Sequence, residues 1–123
     1  MIMQGDYVSF ETAKLLKDKG YPQCTRESQY AGMKYNMDGE LTTAPFANHY
    51  AAPTIYAAHK WLRDTHNLYV EIPMFSLPKG FGPEIVDMKS LETLAYIRNK
   101  GDEFPSYEQA LDAGIQYCAE SLI

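Results

Sequence analysis

Five side chains of this chain are the natural ligands for a transition metal: His49, His59, His66, Cys24 and Cys118. A zinc site needs three or four such groups, and a local pair such as H-x-x-x-H or C-x-x-C usually supplies the first two. Neither spacing occurs. His59 and His66 stand near one edge of the apolar face of a helix, where histidines border a core and hydrogen-bond locally. No metal ligand set and no cofactor follow from this pattern. Nucleophilic chemistry fares no better. Cys118 falls within an apolar stripe, the setting of a small buried hydrophobe. Cys24 follows a turn, with no helix N-terminus or basic cluster to lower its pKa. No G-x-S-x-G is present. The G-x-G of "PKGFGP" lacks a strand-to-helix context, and Pro83 removes an N–H where a phosphate would need one, so the segment reads as a hairpin loop. No catalytic residue emerges, and the expectation is a protein that is not an enzyme.

Charge narrows the partners. The chain has 123 residues and a formal net charge of −5. Lysine and arginine balance aspartate and glutamate over residues 1–67, so the whole excess lies in residues 68–123. An acidic half is a poor footprint for a phosphate backbone, which argues against nucleic acid. No apolar run approaches the ~20 residues of a membrane span. The opening "MIMQGDYVSF" lacks the basic and apolar regions of a signal peptide, so the expected setting is the cytoplasm and both thiols are expected to be reduced. The outlier of the composition is tyrosine, with ten residues. Tyrosine fills half-buried strand positions in small α+β domains, and it also supplies large contact area with few rotors at binding surfaces.

The elements that must position these groups are legible in outline. In "YVSFETAKLLKDKGY" Ser9 caps a first helix, Glu11 sits in its first turn and Gly20 stops it. Phe10, Ala13, Leu16 and Lys17 share a face, which predicts a short, half-buried helix. A hairpin follows, with Met33–Tyr35 before the Asp38-Gly39 turn and Glu40–Thr43 after it. Pro53 starts a second helix that runs to His66. Ile55, Ala58, Trp61, Leu62 and Thr65 fall on its inner face, with Tyr56, Lys60 and Arg63 opposite. Asn67 suits a left-handed cap. "LYVEIPMF" then alternates Leu68, Val70, Ile72 and Met74 inward with Tyr69, Glu71 and Phe75 outward, and Pro73 marks an edge or bulge. "EIVDMK" predicts a strand. Residues 91–98 suit strand or helix; Leu91, Thr93, Ala95 and Ile97 alternate, and a strand is favoured. Ser106 and Gln109 form the capping box of a last helix. Its stripe is Tyr107, Leu111, Gly114, Ile115, Cys118 and Leu122, with Glu108, Asp112, Gln116 and Glu120 on or beside the outer face. A glycine within that stripe points to close approach of another backbone.

The expected architecture is a single α+β domain over residues 1–123, in the order α–β–β–α–β–β–β–α, with helices packed on an antiparallel sheet. Residues 1–50 form a helix plus hairpin. Residues 51–123 form an α–β–β–β–α half whose topology is similar to the double-stranded-RNA-binding fold. That fold grips phosphates with basic residues at the start of its last helix, where this chain reads "EFPSYEQALDAG".

"YVSFETAKLLKDKGY", "APT" followed by "KWLRDTHN", and "SYEQALDAGIQYCAESLI" together resemble a group of small uncharacterised proteins of Bacteroides-type gut bacteria, their phages and other mobile elements. The resemblance implies a cytoplasmic protein of phage or mobile-element origin and transfers no activity to any residue. The function these readings predict is a non-enzymatic interaction protein that binds a protein partner or a second copy of itself. Its candidate interaction surface is Tyr56, Lys60, Arg63, Tyr69, Glu71 and Phe75. The alternative is a nucleic-acid-associated regulator that uses the α–β–β–β–α half.

Overall fold

The computed structural model describes residues 6–23, 33–43, 49–76, 79–98 and 104–123. The chain is an α+β domain whose described residues form three helices, two three-stranded antiparallel sheets and a separate two-stranded ribbon. Helix α1 (Phe10–Asp18) is capped by the Ser9 side chain, which accepts from the Thr12 N–H. It is deeper than its sequence pattern predicts. Thr12, Ala13 and Leu16 are fully buried, because α1 lies against both the C-terminal helix and the strand at Tyr50–Ala51.

The hairpin forms as expected, with strands of two residues each, β1 (Lys34–Tyr35) and β2 (Leu41–Thr42). Asn36 organises its turn. The side-chain oxygen accepts from the Asp38 and Glu40 N–H groups, and Gly39 takes the positive φ of 83° that the turn requires. A third strand, β3 (Tyr50–Ala51), pairs with β1. Nothing in the sequence announced it, since a two-residue strand has no alternation to read.

Helix α2 spans Ile55–His66. Pro53 does not begin it. Thr54 is the N-cap, accepting from the Ala57 N–H, and the Pro53 carbonyl instead receives the Val8 N–H. Ile55, Ala58 and Leu62 are buried as expected, Trp61 is half-buried, and Thr65 turns out to face solvent. Asn67 ends the helix in the left-handed conformation, with φ at 56°.

The strand expected over "LYVEIPMF" is two strands, β4 (Leu68–Glu71) and β5 (Met74–Ser76). Pro73 has no N–H to give a ladder, and the break falls at Ile72-Pro73. β5 folds back on β6 (Lys79–Phe81), so the segment read as a hairpin loop carries a strand of its own. Met74, expected inward, is 73% exposed as a result. The outward placement expected for the Phe75 side chain lies outside the described residues; its backbone pairs with Gly80.

Strands β7 (Glu84–Asp87) and β8 (Thr93–Tyr96) complete the second sheet in the order β4-β7-β8. Residues 91–98 thus contain a strand, but Leu91 is not in it. The Asp87 side chain accepts from the Lys89 and Ser90 N–H groups and starts a turn, which leaves Leu91 78% exposed at a φ of 65°. The single sheet of the sequence reading is therefore replaced by separate ladders. The order α2–β4–β7–β8–α3 remains once the β5–β6 ribbon is set aside.

Helix α3 (Tyr107–Tyr117) runs on into a π-helical turn at Cys118–Leu122. The Ser106 side chain accepts from the Gln109 N–H. Leu111, Gly114, Ile115 and Cys118 are buried and pack with Val8, Leu16, Tyr35, Ile55, Leu62, Val70 and Ile85 in one core that draws on both halves of the chain. Gly114 is where α3 presses on the sheet. A Cβ added there would stand 2.5 Å from Val70 Cγ1 and 3.3 Å from Pro83 Cβ.

Candidate functional site

The residues read as chemical candidates do not converge. His59 is buried in α2, and its Nε2 accepts the Val70 N–H at 3.0 Å. β4 is an edge strand of its sheet, and this bond seals the side that no other strand covers. The ring nitrogen that a metal would use is therefore engaged by backbone. Burial and the nearby Arg63 charge hold His59 down at about 4, well below the 6.5 of a free imidazole. His66, at the end of α2, stacks edge-on against Trp61 at 4.9 Å, and its Nε2 is buried. His49 precedes β3 and gives its carbonyl to the Lys17 ammonium. Among the described residues, no three His, Cys, Asp or Glu side chains are grouped as a metal would need. Cys118 is a free thiol at zero exposure, and burial pushes it up to about 12. Cys24 lies outside the described residues.

One polar cluster was misread. Asp112 and Gln116 were expected on or beside the outer face of α3, yet α1 docks there. The Ser9 N–H donates to Asp112 Oδ1 at 2.8 Å, and the Thr12 hydroxyl donates to Gln116 at 3.4 Å. The open N–H groups of a helix start attract a carboxylate. Burial raises the Asp112 carboxyl even though the bonds from Ser9 and Thr12 act to lower it. Asp112 and Gln116 also border a shallow cleft of about 300 Å³ between α3 and Phe104-Pro105, but their polar atoms already serve α1.

The exposed aromatic residues do converge. Tyr56 comes from the first turn of α2, Tyr69 from β4 and Tyr107 from the first residue of α3, and they are 54%, 41% and 39% exposed. Partial burial raises the Tyr107 phenol, and charge on Tyr56, Tyr69 or Glu108 would raise it further, which sets Tyr56 and Tyr69 within electrostatic reach of Tyr107. The supports are aromatic too. The Tyr69 ring meets the His59 ring edge-on at 5.0 Å, and the Tyr107 ring meets Phe81 at 6.1 Å. Backbone bonds between Phe81 and Phe104 fix the entry to α3, so Tyr107 arrives beside β6. The sequence reading missed Tyr107 by placing it in the buried stripe. The Ser106 cap held the signal, since it makes Tyr107 the first helical residue, where a stripe position projects past the core.

The other predicted surface residues border this cluster. Lys60 is exposed and paired with Asp64, one turn on. Arg63 is half-buried beside His59, and among the described residues it has no ion pair. Glu71 shares the outer face of β4 with Tyr69 and stands directly opposite Glu84 of β7. Tyr69 stands opposite Val86, and Glu84 opposite Tyr96 of β8, whose ring lies 5.3 Å from the Arg98 guanidinium. On the inner face of this sheet Val70 and Ile85 are buried in the same core as Leu111 and Ile115 of α3. Among the described residues, no helix is long and apolar enough to cross a membrane. No protein-family model, no curated protein and no solved structure matches the chain.

Proposed function

We propose that this chain is a non-enzymatic interaction protein of the cytoplasm, and that it binds protein through the tyrosine surface at the α2–β4 edge. The observation that carries this reading is the convergence of Tyr56, Tyr69 and Tyr107 from three separate elements onto one exposed patch. All three are large and partly exposed, and Tyr69 and Tyr107 rest on aromatic neighbours. They are the residue type that anchors protein interfaces, where a rigid ring gives area and a hydroxyl gives a hydrogen bond.

A photo-crosslinking amino acid placed at position 69 tests the reading in cytoplasm of the source organism. Discrete crosslinked species should form. They should be lost when Tyr56 and Tyr107 are changed to serine, and they should be absent when the crosslinker is moved to Asp18, the exposed last residue of α1. Equal labelling from positions 69 and 18 would end the proposal. A second reading, a nucleic-acid-associated regulator, draws on the α2–β4–β7–β8–α3 order. The acidic Glu108 in the first turn of α3 weighs against it. Titration with duplex RNA and DNA at low salt decides it, because the phosphate contribution is largest there.

A further inference from the structure

Resting on the reading that this patch binds protein, we infer that its occupant is an arginine-bearing segment of a partner protein, stacked on the tyrosine rings and paired with the glutamates beside them. The carboxylates come from three elements. Glu71 follows Tyr69 by two residues on the outer face of β4, about 7 Å along the strand. Glu84 of β7 stands directly opposite Glu71. Glu108 is the neighbour of Tyr107 in the first turn of α3, and its charge acts on the Tyr107 phenol. Among the described residues none of the three has an ion pair. On α2 the charges are already shared. Lys60 pairs with Asp64, and Arg63 lies in the field of the same carboxylate. The negative charge that is left unpaired therefore stands beside Tyr69 and Tyr107, and its complement is basic.

The kind of cation follows from the geometry. Like charges directly opposite on a sheet cost stability, and the Glu71–Glu84 pair gains most from a group that serves both carboxylates at once. A planar guanidinium can donate to two acceptors through its fork, where an ammonium is a point charge. A guanidinium also stacks on aromatic rings. The chain shows this contact within itself. The Arg98 guanidinium lies 5.3 Å from the Tyr96 ring, and Tyr96 stands opposite Glu84 in the same sheet. Elsewhere Lys14 lies over Phe10 and Lys17 over Tyr50. Among the described residues no cation lies over Tyr56, Tyr69 or Tyr107, so their exposed ring area is open to one from outside. The acidic excess of residues 68–123 adds a field of the same sign, which steers a basic partner toward this half.

A synthetic peptide of alternating arginine and glycine, long enough to cross the patch, gives the test. Titrated into the intact chain at low salt and followed by calorimetry, it should bind, and added salt should weaken it. Glu71→Gln, Glu84→Gln and Glu108→Gln combined should weaken binding by about tenfold or more. Asp18→Asn, Asp38→Asn and Glu120→Gln combined remove the same charge from exposed positions on α1, the β1–β2 turn and the π-helical turn, and should change it by less than about twofold. Tyr69→Ser should cost about threefold, the scale of one exposed cation–π contact, and Tyr69→Phe should keep the affinity because the ring carries the contact. The matching lysine–glycine peptide should bind more weakly. No binding at low salt, equal losses from the two triple variants, equal binding of the lysine peptide or indifference to Tyr69→Ser overturns the inference. Failure of the peptide with tyrosine-dependent crosslinks from position 69 intact would reject the arginine-bearing occupant alone. Loss of both would reject the protein-binding reading with it.

Discussion

The two faces of the β4-β7-β8 sheet share the same strands and the same register, and they have opposite character. On the inner face Val70 and Ile85 are buried under α3, so tightly that Gly114 has no room for one more carbon. On the outer face the neighbouring residues Tyr69, Glu71, Glu84, Val86 and Tyr96 meet solvent or are half-covered, and two glutamates oppose each other. Because side chains alternate along a strand, the inner residues can be fixed by packing while the outer ones remain free for recognition. The like-charge pair Glu71 and Glu84 closes the end of the β4–β7 ladder on that outer face, an arrangement that stability does not explain.

The sharpest way to break this comparison is to truncate adjacent residues of β7. Ile85→Ala should cost about 2–5 kcal/mol, as buried isoleucine truncations do. Val86→Ala, one residue away on the other face, should cost well under that. Urea denaturation of both variants checks it, and similar losses would mean that the outer face is also packed. Next in size is Gly114→Ala. Overpacking against Val70 and Pro83 should cost about 1–3 kcal/mol, against a helix-propensity gain of about 1 kcal/mol. A net stabilisation would show that α3 can lift off the sheet without penalty.

A third test uses pH at the seam between the faces. His59 is neutral when it accepts the Val70 N–H, and its folded pKa of about 4 lies below the free value of 6.5. Its contribution is therefore fully present above about pH 6.5 and is lost as pH falls toward 4, because the unfolded chain takes up a proton that the folded chain refuses. The stability difference between the parent and His59→Gln should shrink over that window, by at most about 1.4 kcal/mol per pH unit. A difference that stays constant with pH would remove the neutral-acceptor role. The smallest effect belongs to the open face. Glu84→Gln should stabilise the isolated chain by roughly 0.2–1 kcal/mol at low salt, the scale of a cross-strand charge contact, and less at high salt. Loss of stability instead would mean that Glu84 serves a contact within the chain.

The sequence by itself determined the elements with strong local punctuation. Ser9, Ser106 and Asn67 act within a turn of the chain, and they cap or end their helices as read. The Asp38-Gly39 turn likewise needs only local geometry, and the glycine within the α3 stripe did announce a close approach. Tertiary structure decided the rest. β3 exists only because β1 offers it a partner, and the ribbon of β5 and β6 only because Pro73 halts the ladder and the chain returns. Asp112 faces inward because α1, about a hundred residues earlier in the chain, brings an open N–H to it. The tyrosine patch is the extreme case. Tyr56, Tyr69 and Tyr107 each look ordinary in their own segment, and no local pattern links them. Their meeting depends on helix-sheet packing across the whole chain, which is set by long-range burial and leaves no periodic mark in the sequence.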